Sequence, residues 1–426
     1  MPKLFADTTP LKESLDFRRM WIGTSLSSIG AQLTLVAVSL EVYQLTQSTL
    51  AVGAIGIVGL VPLVLAGLYG GSVVDAHDRR KVALYSGLVL WACAGLFAMH
   101  AWSGLGQVWL LYVLIAIHSA AAGLNQPARS AIVPRLVRRE ILPAANALTM
   151  MTFGLGMTIG PLLAGVLVAN VGFGWTYTID VVTFTAAIWA VFRLPPIPPE
   201  GEVRKAGLRS VLEGLQFLRT RPNIRMTFLV DMAAMVLAQP RALMPAIGAV
   251  VIGGGEATAG ILLAAVAAGA FLAALFSGPL GQIRRQGLAV LWCVAVWGAA
   301  VTAFGAVVVL AGKAEAAVDG SIRTWLVPAV ACLMVAGAAD TVSGVFRNTI
   351  LQSATPDAMR GRLQGIFIVV VAGGPRLGDA VAGGNGEWLG EGFAAVAGGL
   401  ACMLAVWLLH KWQPRFACYD ERNPEP

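Results

Sequence analysis

Five ionisable side chains and one amide stand inside long apolar stretches of this chain: Asp180, Asp340, Asp379, Arg241, Arg376 and Gln32. Charge in a membrane-length apolar run costs free energy. Each such group therefore either pairs for structural reasons or serves a path for ions or substrate. Arg376 and Asp379 are three residues apart, on one helical face, and could pair. Gly373, Gly374 and Pro375 just before them predict a broken or bent helix, as at many transport sites. Asp340 precedes Arg347 by nearly two helical turns, so both point the same way, roughly 10 Å apart along the axis. Asp340 is a candidate for proton exchange or gating; the alternative is a structural hydrogen bond to a neighbouring helix. Asp180 and Gln32 are expected near the middle of their runs, lining a cavity or bonding between helices. Arg241, beside Pro240, is a candidate anion contact. Asp231 reads as an interface cap, and Glu41 as a solvated group at the outer interface.

The chemistry on offer is proton binding and ion pairing. No G-x-x-x-x-G-K-[ST] phosphate loop and no H-E-x-x-H is present, and the four histidines (His77, His100, His118, His410) lack metal-ligand spacing. No clustered catalytic set exists, so no enzyme, metal or cofactor is expected. The five cysteines form no C-x-x-C pair, and four of them sit in apolar runs as small hydrophobes.

Apolar helices must carry these groups. Of 426 residues, 57% are hydrophobic and 12% charged, against about 25% charged in a soluble domain. The mean hydropathy is +0.74. These values exclude a soluble enzyme and a disordered or fibrous chain. A spanning helix needs about 20 apolar residues. Runs of that kind fall near 20–43, 49–72, 82–101, 107–128, 144–170 and 173–193, then near 224–248, 257–280, 286–311, 325–347, 363–386 and 391–411. The first is too long for a signal-peptide core and is expected to stay. The longest polar connector lies between the sixth and seventh runs. There Leu208, Val211, Leu212, Leu215 and Leu218 recur at helical spacing among arginines, predicting an amphipathic surface helix.

The net charge is +7. All 30 Lys and Arg except Arg241, Lys313, Arg323 and Arg376 fall in the two termini, the central connector and alternate loops. The positive-inside bias places all of these on the cytoplasmic side, and a nucleic-acid partner is not implied. A weak repeat accompanies the count. Arg19-Met20 recurs as Arg225-Met226, and Arg79-Arg80 as Arg284-Arg285, at offsets near 205 residues. Two tandem six-helix halves fit a transporter plan with its site between them.

Two motifs sharpen this. The loop after the second run reads Gly71-Ser72-Val73-Val74-Asp75-Ala76-His77-Asp78-Arg79-Arg80. It resembles the major facilitator superfamily signature G-x-x-x-D-[RK]-x-G-[RK]-[RK]. Gly71, Asp75, Arg79 and Arg80 match, while Ala76 and Asp78 depart. The resemblance implies a cytoplasmic latch. The fifth run holds Gly156, Gly160, Pro161 and Gly165, similar to the antiporter motif of that superfamily's exporters, a smooth face bent by proline. Asp16-Phe17-Arg18-Arg19-Met20-Trp21, Val42-Tyr43-Gln44-Leu45-Thr46 and the stretch from Thr349 to Arg362 resemble the enterobactin-exporter branch, which also holds multidrug and tetracycline efflux proteins.

The expected fold is an all-α membrane protein of twelve transmembrane helices in two pseudo-symmetric six-helix bundles. Residues 1–193 and 223–412 form the bundles, 194–222 a linker and 413–426 a tail. The expected function is export of a small organic cargo, siderophore or drug-like, by alternating access in exchange for protons, with Asp379 or Asp340 as the leading proton-binding residue. A multidrug or tetracycline-type pump without a siderophore role, or an importer of the same fold, are the alternatives. The expected setting is the lipid bilayer of the inner or plasma membrane, as a monomer with both termini cytoplasmic.

Overall fold

A computed structural model describes residues 7–198, 216, 218–276, 283–314, 322–354 and 357–420. Most of the proposed amphipathic linker helix lies outside these residues, as do the surroundings of Gly71 and the side chains of Asp75, Arg360 and Arg362. The described chain is helical, with one isolated antiparallel bridge between Arg285 and Asp420. A short α1 (Thr9–Glu13) precedes α2 (Leu15–Thr46), α3 (Thr49–Ala76), α4 (Arg79–Ser103), α5 (Val108–Leu136) and α6 (Leu142–Phe192). Then come α7 (Pro222–Met232), α8 (Gly255–Leu275), α9 (Gln286–Lys313), α10 (Ile322–Ser353), α11 (Asp357–Leu389) and α12 (Glu391–Trp412). Ten helical stretches among the described residues are long and apolar enough to cross a membrane. Helices suit that medium because every backbone group is bonded within its own segment.

Two details refine the sequence reading. The fifth and sixth apolar runs are joined without a loop. Their junction is Gly172, at φ 80° and ψ 174°, inside an otherwise continuous α6. That backbone conformation is open essentially to glycine alone. Of the broken or bent helix expected before Arg376, the break is absent: α11 runs as one helix across Pro375, which itself donates no backbone hydrogen bond. The irregular stretch is the one that follows α7. It widens into a π-type turn at Ala233–Leu237, stops near Pro240, resumes as a short 3-10 turn at Arg241–Leu243 and widens again at Ile247–Val251.

The chain packs as two compact units, Met1–Glu41 with Val58–Gly207, and Val42–Ile57 with Leu208–Pro426. In the first, α2 and the arm of α6 before Gly172 run parallel. Trp21 Nε1 donates to the Leu148 carbonyl (3.2 Å), Ser25 Oγ meets Thr152 Oγ1 (3.2 Å), and Gly156 and Gly160 lie on Ser28 and Gln32. The α3 and α5 helices run parallel, crossing where a Cβ at Gly123 falls 3.0 Å from the Leu63 carbonyl, with their C-terminal ends drawn together by Arg79 on the Ala131 carbonyl. The α4 helix and the arm after Gly172 are antiparallel, through Trp91–Thr185 (3.0 Å) and Trp102–Thr178 (3.3 Å).

The second unit repeats this scheme. The α7 stretch and α11 run parallel, with Gly374 on Met235 and Gly386 on Leu243. The α8–α10 pair is parallel, its N-terminal ends meeting at Gly254–Ile322 and its middles at Gly269–Met334 and Gly337–Val266, and the α9–α12 pair is antiparallel, through Gly298–Gly399 with Gly305–Gly392. Glycine recurs at these crossings because helices in lipid associate by close van der Waals packing, not by shedding water. The chain after α12 folds back on this unit. Phe416 is fully buried there, and the Tyr419 and Ser353 hydroxyls lie 3.0 Å apart.

Candidate functional site

Four polar clusters sit within these units. The first follows from the break after α7. Pro240 contributes no amide hydrogen, and the 3-10 turn that follows presents Arg241 to α11. Its guanidinium grips Asp379 with two atoms, Nε on Oδ1 at 3.3 Å and Nη2 on Oδ2, a fork geometry that suits arginine and carboxylate. Asp379 is buried while Arg241 is half exposed. The sequence pairing of Asp379 with Arg376 is thus extended: Arg376 on the same helix acts on the carboxylate electrostatically, and Arg241 reaches it from another element with a direct bond. Gly53 and Gly56 of α3 lie on the backbone of α11 here. A Cβ at Gly53 would fall 2.6 Å from the Asp379 carbonyl, and one at Gly56 would strike that of Arg376.

The second cluster joins α7 and α10. Arg347 is buried between two carboxylates, its Nη1 on Asp231 and its Nη2 on Asp340 at 3.1 Å. Asp231, expected as an interface cap, is instead a buried ion-pair partner. Asp340 and Arg347 do point the same way, and the arginine's length closes their axial offset. Two carboxylates share one cation, and Asp340 is the more exposed of the two.

The third cluster surrounds Asp180 on the second arm of α6. Asp180 is fully buried, and Gly30 on α2 leaves the space its carboxylate fills. Thr34 Oγ1 donates to Oδ2 at 2.5 Å, and the Thr183 hydroxyl lies 3.4 Å from Oδ1. Among the described residues no Lys, Arg or His forms an ion pair with it. Gln32, two residues from both Gly30 and Thr34 and so on the opposite face of α2, donates to Met157 Sδ (2.9 Å) and packs its stem on Gly160. In the antiporter-like motif, Gly156 and Gly160 thus form a seam with α2, and Pro161 and Gly165 are buried just beyond it.

The fourth cluster is one the sequence reading missed. Glu41, read as solvated, is buried and takes hydrogen bonds from Tyr177 Oη (2.5 Å) and His100 Nδ1 (3.1 Å). Arg129 was likewise assigned to a loop. It lies within α5, where its Nη1 donates to Thr24 and Ser27 hydroxyls, each at 3.3 Å. A signal was present: Ser27, Thr34 and Glu41 are spaced by sevens, which puts them on one face of α2.

At the signature loop, Arg79 Nη1 donates to the Ala131 carbonyl (3.3 Å), and Arg80 Nη2 to that of Phe192 (2.6 Å). Asp78 replaces the family glycine and caps α4, accepting from the Arg80 amide (2.9 Å) and the Ile197 amide (3.2 Å). The two arginines tie α4 to the ends of α5 and α6.

The chain matches the family described as transmembrane secretion effector, within the major facilitator superfamily, over residues 6–423. It belongs to that family. This member of the transmembrane secretion effectors is 30% identical over 411 residues to the enterobactin exporter EntS of Citrobacter koseri, covering 95% of this chain and 94% of the relative. It is 30% identical over 400 residues to that of Shigella boydii, covering 94% and 92%. Among solved structures it is similar in fold to the POT family transporter PepTSo (TM-score 0.73, 12% identity, 95% of this chain and 99% of that one). A bacterial homologue of the iron transporter ferroportin in an inward-facing state is also similar (TM-score 0.64, 15% identity, 94% and 99%). The secretion effector is a membrane transporter and not an enzyme.

Proposed function

We propose that this chain exports a small organic molecule, siderophore or drug-like, by alternating access in exchange for protons. Twelve spans build it, counting the two arms of α6 separately and including α11, as two six-helix bundles over residues 1–193 and 223–412. Residues 194–222 link them, and 413–426 form the tail. Both termini and the signature loop with Gly71, Asp75, Arg79 and Arg80 face the cytoplasm, following the arginine distribution. The protein acts as a monomer in the inner or plasma membrane. Kinship with enterobactin exporters supports outward transport and a siderophore as cargo.

Proton exchange rests on Asp180. Of the three membrane carboxylates first considered, Asp379 and Asp340 have arginine partners, and Asp180 has only hydroxyls among the described residues. A buried carboxylate without a counter-charge is costly when ionised, so it holds a proton until the protein reorganises around it. Asp180 is therefore the proposed proton carrier. Asp379–Arg241 and Asp340–Arg347 act as ion pairs that hold one arrangement of helices, with Arg376 and Gln32 as cavity contacts. One charge moving inward across 100 mV contributes about 2.3 kcal/mol, enough to bias two conformations about 50-fold.

The test uses inside-out vesicles holding a respiration-driven pH gradient reported by a quenched dye. Added enterobactin is expected to relieve the quenching with the wild-type protein and not with Asp180→Asn. Cargo uptake with no change in dye signal would sink the exchange, and failure of vesicles to accumulate enterobactin or a tetracycline would sink export of these cargos.

A further inference from the structure

The ring nitrogens of His100 are both engaged, and their partners fix the tautomer. Nε2 accepts from the backbone amide of Gln107 at 3.1 Å, so it carries a lone pair, and Nδ1 carries the hydrogen that faces Glu41. His100 lies in the last turn of α4. Gln107 is the N-cap of α5, so the imidazole staples the turn between the two helices. That turn carries two left-handed glycines, Gly104 at φ 63° and Gly106 at φ 62°. Both the imidazole and Glu41 are buried, although the turn itself is exposed from Trp102 to Gly106.

We propose that Glu41, His100 and Tyr177 form a proton-binding site that holds the α4–α5 turn closed and releases it on acidification. One proton from the adjoining aqueous phase bonds to His100 Nε2. The lone pair is then used, the Gln107 amide loses its acceptor, and two N–H groups face each other. The new imidazolium charge lies against the Glu41 carboxylate, which Tyr177 continues to bond. Among the described residues, Glu41 from α2 is the ionisable group bonded to the ring, and Tyr177 from the second arm of α6 bonds Glu41 in turn. The turn contributes only the Gln107 amide. Ser103 Oγ donates to the His100 carbonyl, and Phe97 stacks on Tyr177 with ring centroids 5.5 Å apart. Among the described residues no Lys or Arg pairs with Glu41.

The site differs from Asp180 in kind. Thr34 and Glu41 are seven residues apart on α2, about 10 Å along its axis. Only the outer cluster is tied to a turn that can open. The placement on the outer side rests on the orientation proposed above; the release of the turn does not.

The test is hydrogen exchange of the full-length protein in phosphatidylethanolamine–phosphatidylglycerol nanodiscs, followed by mass spectrometry of the peptide spanning Gln107. Rates are corrected for the intrinsic dependence of exchange on pH. Across the range where imidazoles change charge, roughly pH 8 to 5, the Gln107 protection factor is expected to fall about tenfold, the worth of one hydrogen bond. His100→Gln is expected to abolish the step. Protection independent of pH in the wild type, or an unchanged step in His100→Gln, would overturn the proposal. If His100→Gln does not fold, the wild-type comparison decides alone: Gln107 protection that does not fall on acidification overturns the proposal. None of these outcomes depends on transport, so failure of the export reading would register separately.

Discussion

Thr34 on α2 donates its hydroxyl to Asp180 on α6 at 2.5 Å, the shorter of the two hydroxyl contacts the buried carboxylate makes among the described residues. Replacing Thr34 by valine keeps the shape and removes the donor. Stability is expected to fall by about 1–3 kcal/mol, the cost of a buried polar group losing its partner. Asp180→Asn keeps a group that can accept the same bond and should cost less than about 1 kcal/mol. Thermal unfolding in detergent separates the two, and the ranking should reverse in the vesicle dye assay, where Asp180→Asn falls to the background of empty vesicles.

Arg347 offers a sharper stability test. Its guanidinium is buried between Asp231 and Asp340, so Arg347→Gln strands two carboxylates. The expected loss is about 3–5 kcal/mol. Adding Asp231→Asn to that variant should recover part of it, because one of the stranded charges is then removed. A double variant no more stable than Arg347→Gln would show that the pair is not what holds α7 to α10.

Arg241 and Asp379 form the contrasting case. Half of the Arg241 side chain is exposed, so this pair is less completely enclosed than the one at Arg347. Arg241→Gln is expected to cost about 1 kcal/mol, well below Arg347→Gln in the same unfolding measurement. Exchanging the two residues should preserve most of the stability.

The glycines of the fifth apolar run are not equivalent. A Cβ at Gly160 would collide with the Cβ of Gln32, whereas nothing lies within 4 Å of one at Gly154. Gly160→Ala is expected to destabilise by about 1–3 kcal/mol through overpacking. Gly154→Ala should be neutral or stabilising by up to about 1 kcal/mol, the helix propensity gain. Equal effects at the two positions would contradict the packed α2–α6 seam.

The sequence disclosed what is periodic and local. The apolar runs fall close to the observed helices, and the boundary between the fifth and sixth lands within a residue of Gly172. The partners of charged groups were a different matter. Asp379 could be matched only to its near neighbour Arg376, because sequence distance is the sole measure a chain offers; its partner Arg241 lies 138 residues away. Glu41 and Arg129 were misplaced for a related reason. Both lie close to run ends, where hydropathy cannot tell a group facing water from one turned into a bundle. Ser27, Thr34 and Glu41 at intervals of seven carried the missing information, but only as one side of each contact.

Gly172 has a mechanical consequence. The fifth and sixth crossings meet at a corner with no slack, so neither can slide, twist or tilt without dragging the other. Any rearrangement of the first unit must treat the two as a single bent lever, with its compliance found elsewhere. A tag or protease site spliced in at this corner would uncouple the lever's arms, and the same insertion in the glycine-bearing turn after Ser103 would leave them joined.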